Sequence, residues 1–137
     1  MFDALLQQTT LPILEQVVNF NQARHTILAG NIANMDTPGY QARDLSVGDF
    51  QGRLKKAIQS RQQRVAALSP GDIAALAPDN LAEVARESQP ILYHDGSNDG
   101  VEHQVTEMVK NQMQHNLALS IMGSQFRLLQ TAISERV

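Results

Sequence analysis

The chain has 137 residues, a length that predicts a single domain. It contains no cysteine, which excludes disulfides, thiolate zinc sites and a cysteine nucleophile. The net charge of −3 argues against a general attraction to nucleic acid. Only 4% of the residues are aromatic and none is tryptophan, so we expect a modest hydrophobic core.

The N-terminal stretch lacks the pattern of a cleavable secretory signal. It has no basic beginning, and Asp3, Gln7 and Glu15 interrupt its apolar residues. No part of the sequence approaches the run of about 18 apolar residues that a membrane-spanning helix needs. We therefore expect neither a cleavable signal peptide nor a transmembrane helix.

Residues 11–35 carry a helical pattern with two apolar stripes. The first stripe is a heptad seam with alternating spacings of three and four residues: Leu11, Leu14, Val18, Asn21, His25, Leu28, Ile32 and Met35. The second stripe lies on an adjoining face: Ile13, Val17, Phe20 and Ile27. A helix that is apolar on two faces needs more than one partner.

The C-terminal segment repeats this arrangement. Its seam has the same spacing: Val101, Val105, Met108, Gln112, His115, Leu119, Met122, Phe126, Leu129 and Ile133. A second stripe accompanies the seam: Val109, Met113, Leu117, Ile121 and Leu128. We expect the helix pair to be held by these seam residues: Leu14, Val18, Leu28, Ile32, Val105, Met108, Leu119, Met122, Phe126 and Leu129. The surplus apolar surface predicts contact with other subunits.

Each seam has a polar interruption. Asn21 and His25 interrupt the first, and Gln112 and His115 interrupt the second. Polar seam residues can fix the register of two helices at some cost in stability. They can equally face solvent where the helix pair ends, and the sequence leaves both interpretations open.

The middle of the chain has a different composition. Ser46 can cap a short helix that reaches about Ser60, residues 68–90 indicate turns and short helices, and residues 91–95 can form a brief strand. The predicted fold is therefore mainly α, with long N- and C-terminal helices packed as a coiled-coil-like hairpin. Three segments follow: an N-terminal helix (1–35), a small irregular middle region (36–100) and a C-terminal helix (101–137).

The types of side chain that often carry catalysis are scattered along the sequence. The histidines lack the spacing of a helical metal site: His25, His94, His103 and His115. Two acidic pairs, Glu83 with Glu87 and Glu102 with Glu107, indicate a solvated helix face and not a catalytic pair, and no Gly-rich phosphate loop is present. The basic stretch between Arg53 and Arg64 indicates an exposed helix face, or a contact with an acidic subunit or an anionic polymer. We expect no enzyme activity, metal or cofactor.

The first helical pattern ends at a turn with a clear physical basis. Pro38 presets φ for the first central position of a type II turn, and Gly39 supplies the positive φ of the second. Tyr40 would then fold back onto the last helical turn. Asn31 and Asn34 can reach backbone groups at that end or in a neighbouring subunit.

The stretch from Ile27 to Leu45, ILAGNIANMDTPGYQARDL, closely resembles the N-terminal signature of bacterial flagellar axial proteins. In that family, an NIAN-x-x-TPGY element follows an N-terminal helix. The matching residues are Asn31, Ile32, Ala33, Asn34, Thr37, Pro38, Gly39 and Tyr40. The C-terminal segment also resembles the ending of proximal-rod members, at these positions: Asp95, Gly96, Glu107, Met108, Asn111, Leu119, Ser124, Phe126, Leu128 and Ile133.

The resemblance implies a structural subunit of the bacterial flagellum whose terminal helices stack into a tube. It implies a place in the basal body, in the periplasm-spanning rod near the inner membrane, reached through the flagellar type III export apparatus. There it would join the inner-membrane ring to the distal rod and transmit torque, supporting motility. The implied partners are other copies of the chain, the proximal rod proteins FlgC and FlgF, the rod–ring adaptor FliE and the ring protein FliF.

A cytoplasmic coiled-coil adaptor module is the alternative function. It would explain the heptads but leaves the corner from Asn31 to Tyr40 without a role. Our hypothesis is that this corner fixes one subunit against the next.

Overall fold

A computed structural model of the protein describes residues 9–67, 88–90 and 100–134. The described elements are, in chain order, α1 (Leu11–Ala33), β1 (Arg43–Leu45), α2 (Val47–Ala67), β2 (Ser88–Pro90) and α3 (Val101–Ser134). Helices α1 and α3 pack against each other, which confirms the predicted mainly α fold with a terminal helix pair. None of the described helices is long and apolar enough to cross a membrane.

The two long helices run antiparallel. Asn31, near the end of α1, contacts Gln104 near the start of α3, and Asn21 contacts Asn111 further along. Pro12 lies in the first turn of α1, where its missing N–H leaves no hydrogen bond unmade. Helix α1 ends at Ala33, two residues before the predicted Met35.

Helix α2 begins where the sequence predicts and ends later. The Ser46 hydroxyl accepts a hydrogen bond from the Asp49 N–H at 3.2 Å, which is the predicted N-cap. The helix continues to Ala67 and not to about Ser60. The residues after Ser60 are RQQRVAA, a stretch without glycine or proline, so no residue there stops the helix.

A two-stranded antiparallel sheet follows the turn after α1, and the sequence did not predict it. Arg43 pairs with Pro90, Asp44 with Gln89 and Leu45 with Ser88. The strand predicted at 91–95 lies outside the described residues, as do most of the turns predicted at 68–90. The sheet brings the middle of the chain back beside the end of α1.

The main hydrophobic cluster lies between α1, β1 and α2. Phe20 stacks on Phe50 with ring centroids 3.9 Å apart and an interplanar angle of 7°, and Leu45 is buried beside them. Val17 and Ile27 also pack here. The second apolar stripe of α1 therefore has its own partner, which confirms that this helix packs on two faces.

The contact line on α3 differs from the predicted seam. Helix α3 fully buries three side chains at heptad spacing: Gln104, Asn111 and Ala118. Because two of these hydrogen-bond to α1, they occupy the contact line and turn the neighbouring apolar positions outward.

The predicted seam residues accordingly have different surroundings. Leu28 is buried, at 1% exposure. In contrast, Val105, Leu119 and Phe126 are 43%, 44% and 51% exposed. The other six are half-buried: Leu14, Val18, Ile32, Met108, Met122 and Leu129. Polar contacts thus lie at the centre of the helix pair, and much of the apolar surface of α3 faces outward.

Candidate assembly site

The turn after α1 has the predicted geometry. Gly39 has a φ of 77°, and it is the only described residue with positive φ. The Tyr40 N–H donates to the Thr37 carbonyl at 3.1 Å, closing the turn. Thr37, Pro38 and Gly39 are all exposed, so the turn forms a tip at the surface of the chain.

Asn34 caps the end of α1. Its backbone N–H and its side-chain Nδ2 both donate to the Gly30 carbonyl, at 3.1 and 2.8 Å. The Asn34 carbonyl in turn accepts from the Thr37 N–H at 3.0 Å. This amide therefore serves the local ending of the helix, as ordinary capping predicts.

Asn31 has a different role, and its side chain uses its full hydrogen-bonding capacity. Its Nδ2 donates to the Arg43 carbonyl at 2.6 Å and to Gln104 Oε1 at 3.2 Å. Its Oδ1 accepts from the Arg43 N–H at 3.0 Å and from the Tyr40 hydroxyl at 3.1 Å. Two donors and two acceptor positions are all that a carboxamide offers. A leucine here could pack but could not bind the strand, the turn and α3 together.

The rest of the predicted motif is divided between the interior and the surface. Tyr40 folds back onto α1 through its bond to Asn31, which confirms the sequence prediction. Ile32 is half-buried and Ala33 is exposed. The motif therefore has an interior base, formed by Asn31 and Tyr40, and an outer tip at Thr37–Gly39.

A buried arginine reinforces the same corner. Arg24 is 5% exposed and binds Asp44 with two hydrogen bonds, Nε to Oδ1 at 2.8 Å and Nη2 to Oδ2 at 2.6 Å. Its Nη2 also donates to Glu107 Oε2 on α3 at 2.9 Å. Asp44 Oδ1 accepts the Leu45 N–H at 2.7 Å as well. Arg24 thus connects α1, β1 and α3.

The electrostatics of this group favour the charged forms. The hydrogen bonds that Arg24 donates to Asp44 are the main reason that the pKa of Arg24 lies above its ordinary value. Hydrogen bonds from Lys110, at 2.7 Å, and from Arg24 lower the pKa of Glu107. We call these five side chains the junction: Arg24, Asn31, Asp44, Gln104 and Glu107.

Sequence reasoning missed Arg24 and Gln104 as members of the site. The sequence did carry a signal. A second line with three-four spacing shares Asn21 and Leu28 with the predicted seam but passes through Arg24 and Asn31. On α3 the polar residues Gln104 and Asn111 lie one heptad apart. Polar residues at heptad spacing on two helices indicate a hydrogen-bonded contact line.

The polar residues that interrupt the seams have mixed surroundings, so neither interpretation, a contact within the helix pair or exposure to solvent, applies to all of them. Asn21 is buried and its carbonyl accepts from Asn111 Nδ2 at 2.7 Å, whereas Gln112 is exposed. His25 and His115 are half-buried. Within residues 9–67, 88–90 and 100–134, no group of three or more histidine, cysteine, aspartate or glutamate side chains could hold a metal ion.

The comparisons with known proteins agree on one family. A family model described as flagella basal body rod protein matches residues 19–41, the stretch that includes the junction residues of α1 and the turn. The chain is 31% identical over 134 residues to flagellar basal body rod protein FlgB of Salmonella typhimurium strain LT2, covering 93% of each. It is 32% identical over 135 residues to FlgB of Escherichia coli K12, again covering 93% of each. FlgB of Proteus mirabilis is 43% identical over 60 residues, which are 44% of this chain and 40% of that relative.

The paired helices, the capped turn and this similarity define a structural, mainly helical protein of the flagellar basal body rod. Within that class, the chain belongs to the FlgB family.

Proposed function

We propose that the chain is a subunit of the proximal rod that assembles helically with other rod proteins, joins the inner-membrane ring to the distal rod and transmits torque. The observation that carries this proposal is the similarity to FlgB proteins over 93% of the chain. The corner, residues 31–40, lies within the segment that matches the rod family model.

The corner suits a contact that must bear load. Its tip, Thr37–Gly39, is exposed, and its base is fixed by the four hydrogen bonds of Asn31. A tip on such a base presents one shape to a neighbour and loses little conformational entropy on binding. The proposed role of the corner residues from Asn31 to Tyr40 is to orient one subunit against the next.

The outward apolar surface of α3 suits further subunit contacts. It includes these large side chains, each at least 40% exposed: Val101, Val105, Val109, Met113, Leu117, Leu119, Ile121, Phe126, Leu128 and Ile133. An apolar surface of this extent is typical of a protein interface. In this proposal the exposed seam residues Val105, Leu119 and Phe126 contact neighbouring subunits in the rod.

The partners in this proposal are other copies of the chain, FlgC, FlgF, the adaptor FliE and the ring protein FliF. The chain reaches the periplasm-spanning rod through the flagellar export apparatus. Contacts repeated head to tail in a non-closing series build a helical filament, which is the geometry that a rod requires. The role is mechanical, with no catalysis and no cofactor.

An in-frame deletion tests the proposal. Deletion strains are scored for swimming and imaged by electron cryotomography of the cell envelope, with the wild-type gene restored on a plasmid as control. We expect non-motile cells whose basal bodies stop at the inner-membrane ring without a rod. Intact rods and normal swimming in the deletion strain would overturn the proposal and favour the cytoplasmic adaptor, whose absence from the exported fraction would distinguish it.

A further inference from the structure

A polar cavity of about 200 Å³ lies between α1 and α3, beyond the junction. Its floor is formed by two buried asparagines, Asn21 on α1 and Asn111 on α3, which are 3% and 1% exposed. The rest of its lining is also polar and includes no Asp, Glu, Lys or Arg: Gln22, His25, Thr26, Gln112 and His115. Because Gln22, Thr26 and Gln112 are exposed, the cavity opens to the surface of the helix pair.

Four atoms of the cavity are buried and have no hydrogen-bond partner: Asn21 Nδ2, His25 Nδ1, Asn111 Oδ1 and His115 Nδ1. Asn111 Nδ2 donates to the Asn21 carbonyl at 2.7 Å, which leaves Asn111 Oδ1 and Asn21 Nδ2 unpaired. Buried polar atoms in folded proteins are nearly always paired, either within the protein or with water or a ligand. Partners for these atoms therefore enter through the open side of the cavity.

The unpaired atoms specify the kind of group that fits. Asn21 Nδ2 needs an acceptor and Asn111 Oδ1 needs a donor, while each imidazole Nδ1 takes either role according to its tautomer. A carboxylate offers acceptors alone, and an ammonium or guanidinium offers donors alone. A primary carboxamide offers both, and the cavity has room for such a group together with ordered water.

The mouth of the cavity interrupts an apolar stripe on the outer face of α3. Gln112, at the mouth, is seven residues from Val105 and seven from Leu119, so the three share one helix face. Val105 and Leu119 are 43% and 44% exposed. A helix lying along this stripe buries apolar side chains on both sides of the mouth and places a residue over the cavity. An apolar residue there would seal the unpaired atoms away from water, which is unfavourable.

We propose that the polar cavity binds the side-chain carboxamide of an Asn or Gln that a neighbouring rod subunit carries within an apolar helix face. The amide accepts from Asn21 Nδ2 and donates to Asn111 Oδ1, and its apolar neighbours pack on Val105 and Leu119. The cavity gives specificity to an otherwise apolar contact, because a partner helix without the amide leaves buried polar atoms unpaired. This inference rests on the proposed function, which supplies the neighbouring subunit.

Titration of the purified chain with propionamide, which has the end group of Asn and Gln, tests the chemistry alone. The side-chain NH₂ signals of Asn21 and Asn111 and the imidazole signals of His25 and His115 are followed by NMR. We expect saturable shifts with half-saturation at about 10–100 mM, as so small a ligand allows, and none with propionate. In the cavity variant, Asn21→Leu with Asn111→Leu, the imidazole shifts should be lost.

The role in the rod is tested in the deletion strain. The matched control is Asn19→Leu with Gln130→Leu, which removes two exposed amides outside the cavity. We expect the cavity variant to fold and to be exported but to build about tenfold fewer rods, and the control to build them normally. A photo-crosslinking amino acid at Gln22 should join the mouth to a helix of a rod subunit, within about one turn of an Asn or Gln.

Several results would overturn the inference. Absence of saturable shifts with propionamide would show that the cavity holds ordered water only, and equal shifts with propionate would show that it does not select an amide. Normal rods in the cavity variant, an equal loss in the control, or a cross-link to a segment without Asn or Gln would show that no amide of the rod binds there. If the wild-type chain failed to restore rods, the proposed function would fall, while the titration would still decide what the cavity binds.

Discussion

Two polar groups on the contact between α1 and α3 have opposite effects: the junction, and a polar band formed by Asn21 and His25 on α1 with Asn111 and His115 on α3. In the junction, Asn31 makes four hydrogen bonds and Arg24 makes three. In the band, Asn21 and Asn111 each keep a buried polar atom without a partner. Polar residues inside a helix contact therefore stabilise a specific geometry only when their partners are supplied. Here β1 supplies them, because Arg43 and Asp44 bring a backbone and a carboxylate to one end of the pair.

Removing the positive charge of Arg24 from the junction should have the largest effect on stability. Arg24→Met keeps much of the side-chain volume but leaves Asp44 and Glu107 close together without their cation. We expect the free energy of unfolding to fall by about 3 kcal/mol, because breaking a buried ion pair strands its partners. Urea unfolding followed by circular dichroism measures this. A loss no greater than that of exposed Lys55→Met would show that the junction does not hold the helix pair.

Removing the amide of the junction should cost somewhat less. Asn31→Leu deprives the N–H and C=O of Arg43 of their side-chain partner, and we expect a loss of about 2 kcal/mol. Asn34→Leu is the control, since its side chain makes one local bond to Gly30 and should cost well under half as much. Equal losses in the two variants would contradict the distinct roles assigned to these asparagines.

The turn at the edge of the junction gives a smaller effect on stability and a large one on assembly. Gly39→Val places a β-branched residue at positive φ, which costs about 1–2 kcal/mol although the side chain would have open space. We expect the variant to be expressed but to build no rods. Gly39→Asn, which tolerates this conformation, should retain them. Motile cells carrying Gly39→Val would contradict the proposed role of the corner.

Acid should weaken the junction slightly. Because the folded-state pKa of Glu107 is lowered, its contribution to stability is present above its unfolded pKa of about 4.3 and is lost as pH falls through the folded pKa. Between about pH 5 and pH 3, we expect the free energy of unfolding to fall further in wild type than in Glu107→Gln, by about 1 kcal/mol at most. Parallel urea-unfolding profiles for the two proteins would contradict this assignment.

The local features of this fold could be predicted from sequence. The two long helices follow from heptads, the start of α2 follows from Ser46, and the turn follows from Pro38 and Gly39. Each depends on residues within one or two helical turns of one another. Their physical causes can therefore be recognised in a short stretch of sequence.

The junction could not be predicted in the same way. Arg24 meets partners 20 and 83 residues away, and Asn31 meets Gln104 at a separation of 73. A seam drawn through apolar residues also assumes that the contact line is apolar, so it placed Val105 inside and left Gln104 out. β1 supplies hydrogen-bond partners to Arg24 and Asn31, and β1 itself pairs with β2, which lies far along the chain.

The bonds from Asn31 to Arg43 also protect the chain from misassociation. In an antiparallel strand, alternate residues direct their N–H and C=O to the same side, so Arg43 and Leu45 share the side away from β2. Asn31 takes both groups of Arg43, and Asp44 takes the Leu45 N–H. An incoming strand from another molecule finds these donors already occupied, which is how natural proteins prevent sheet extension and amyloid-like growth.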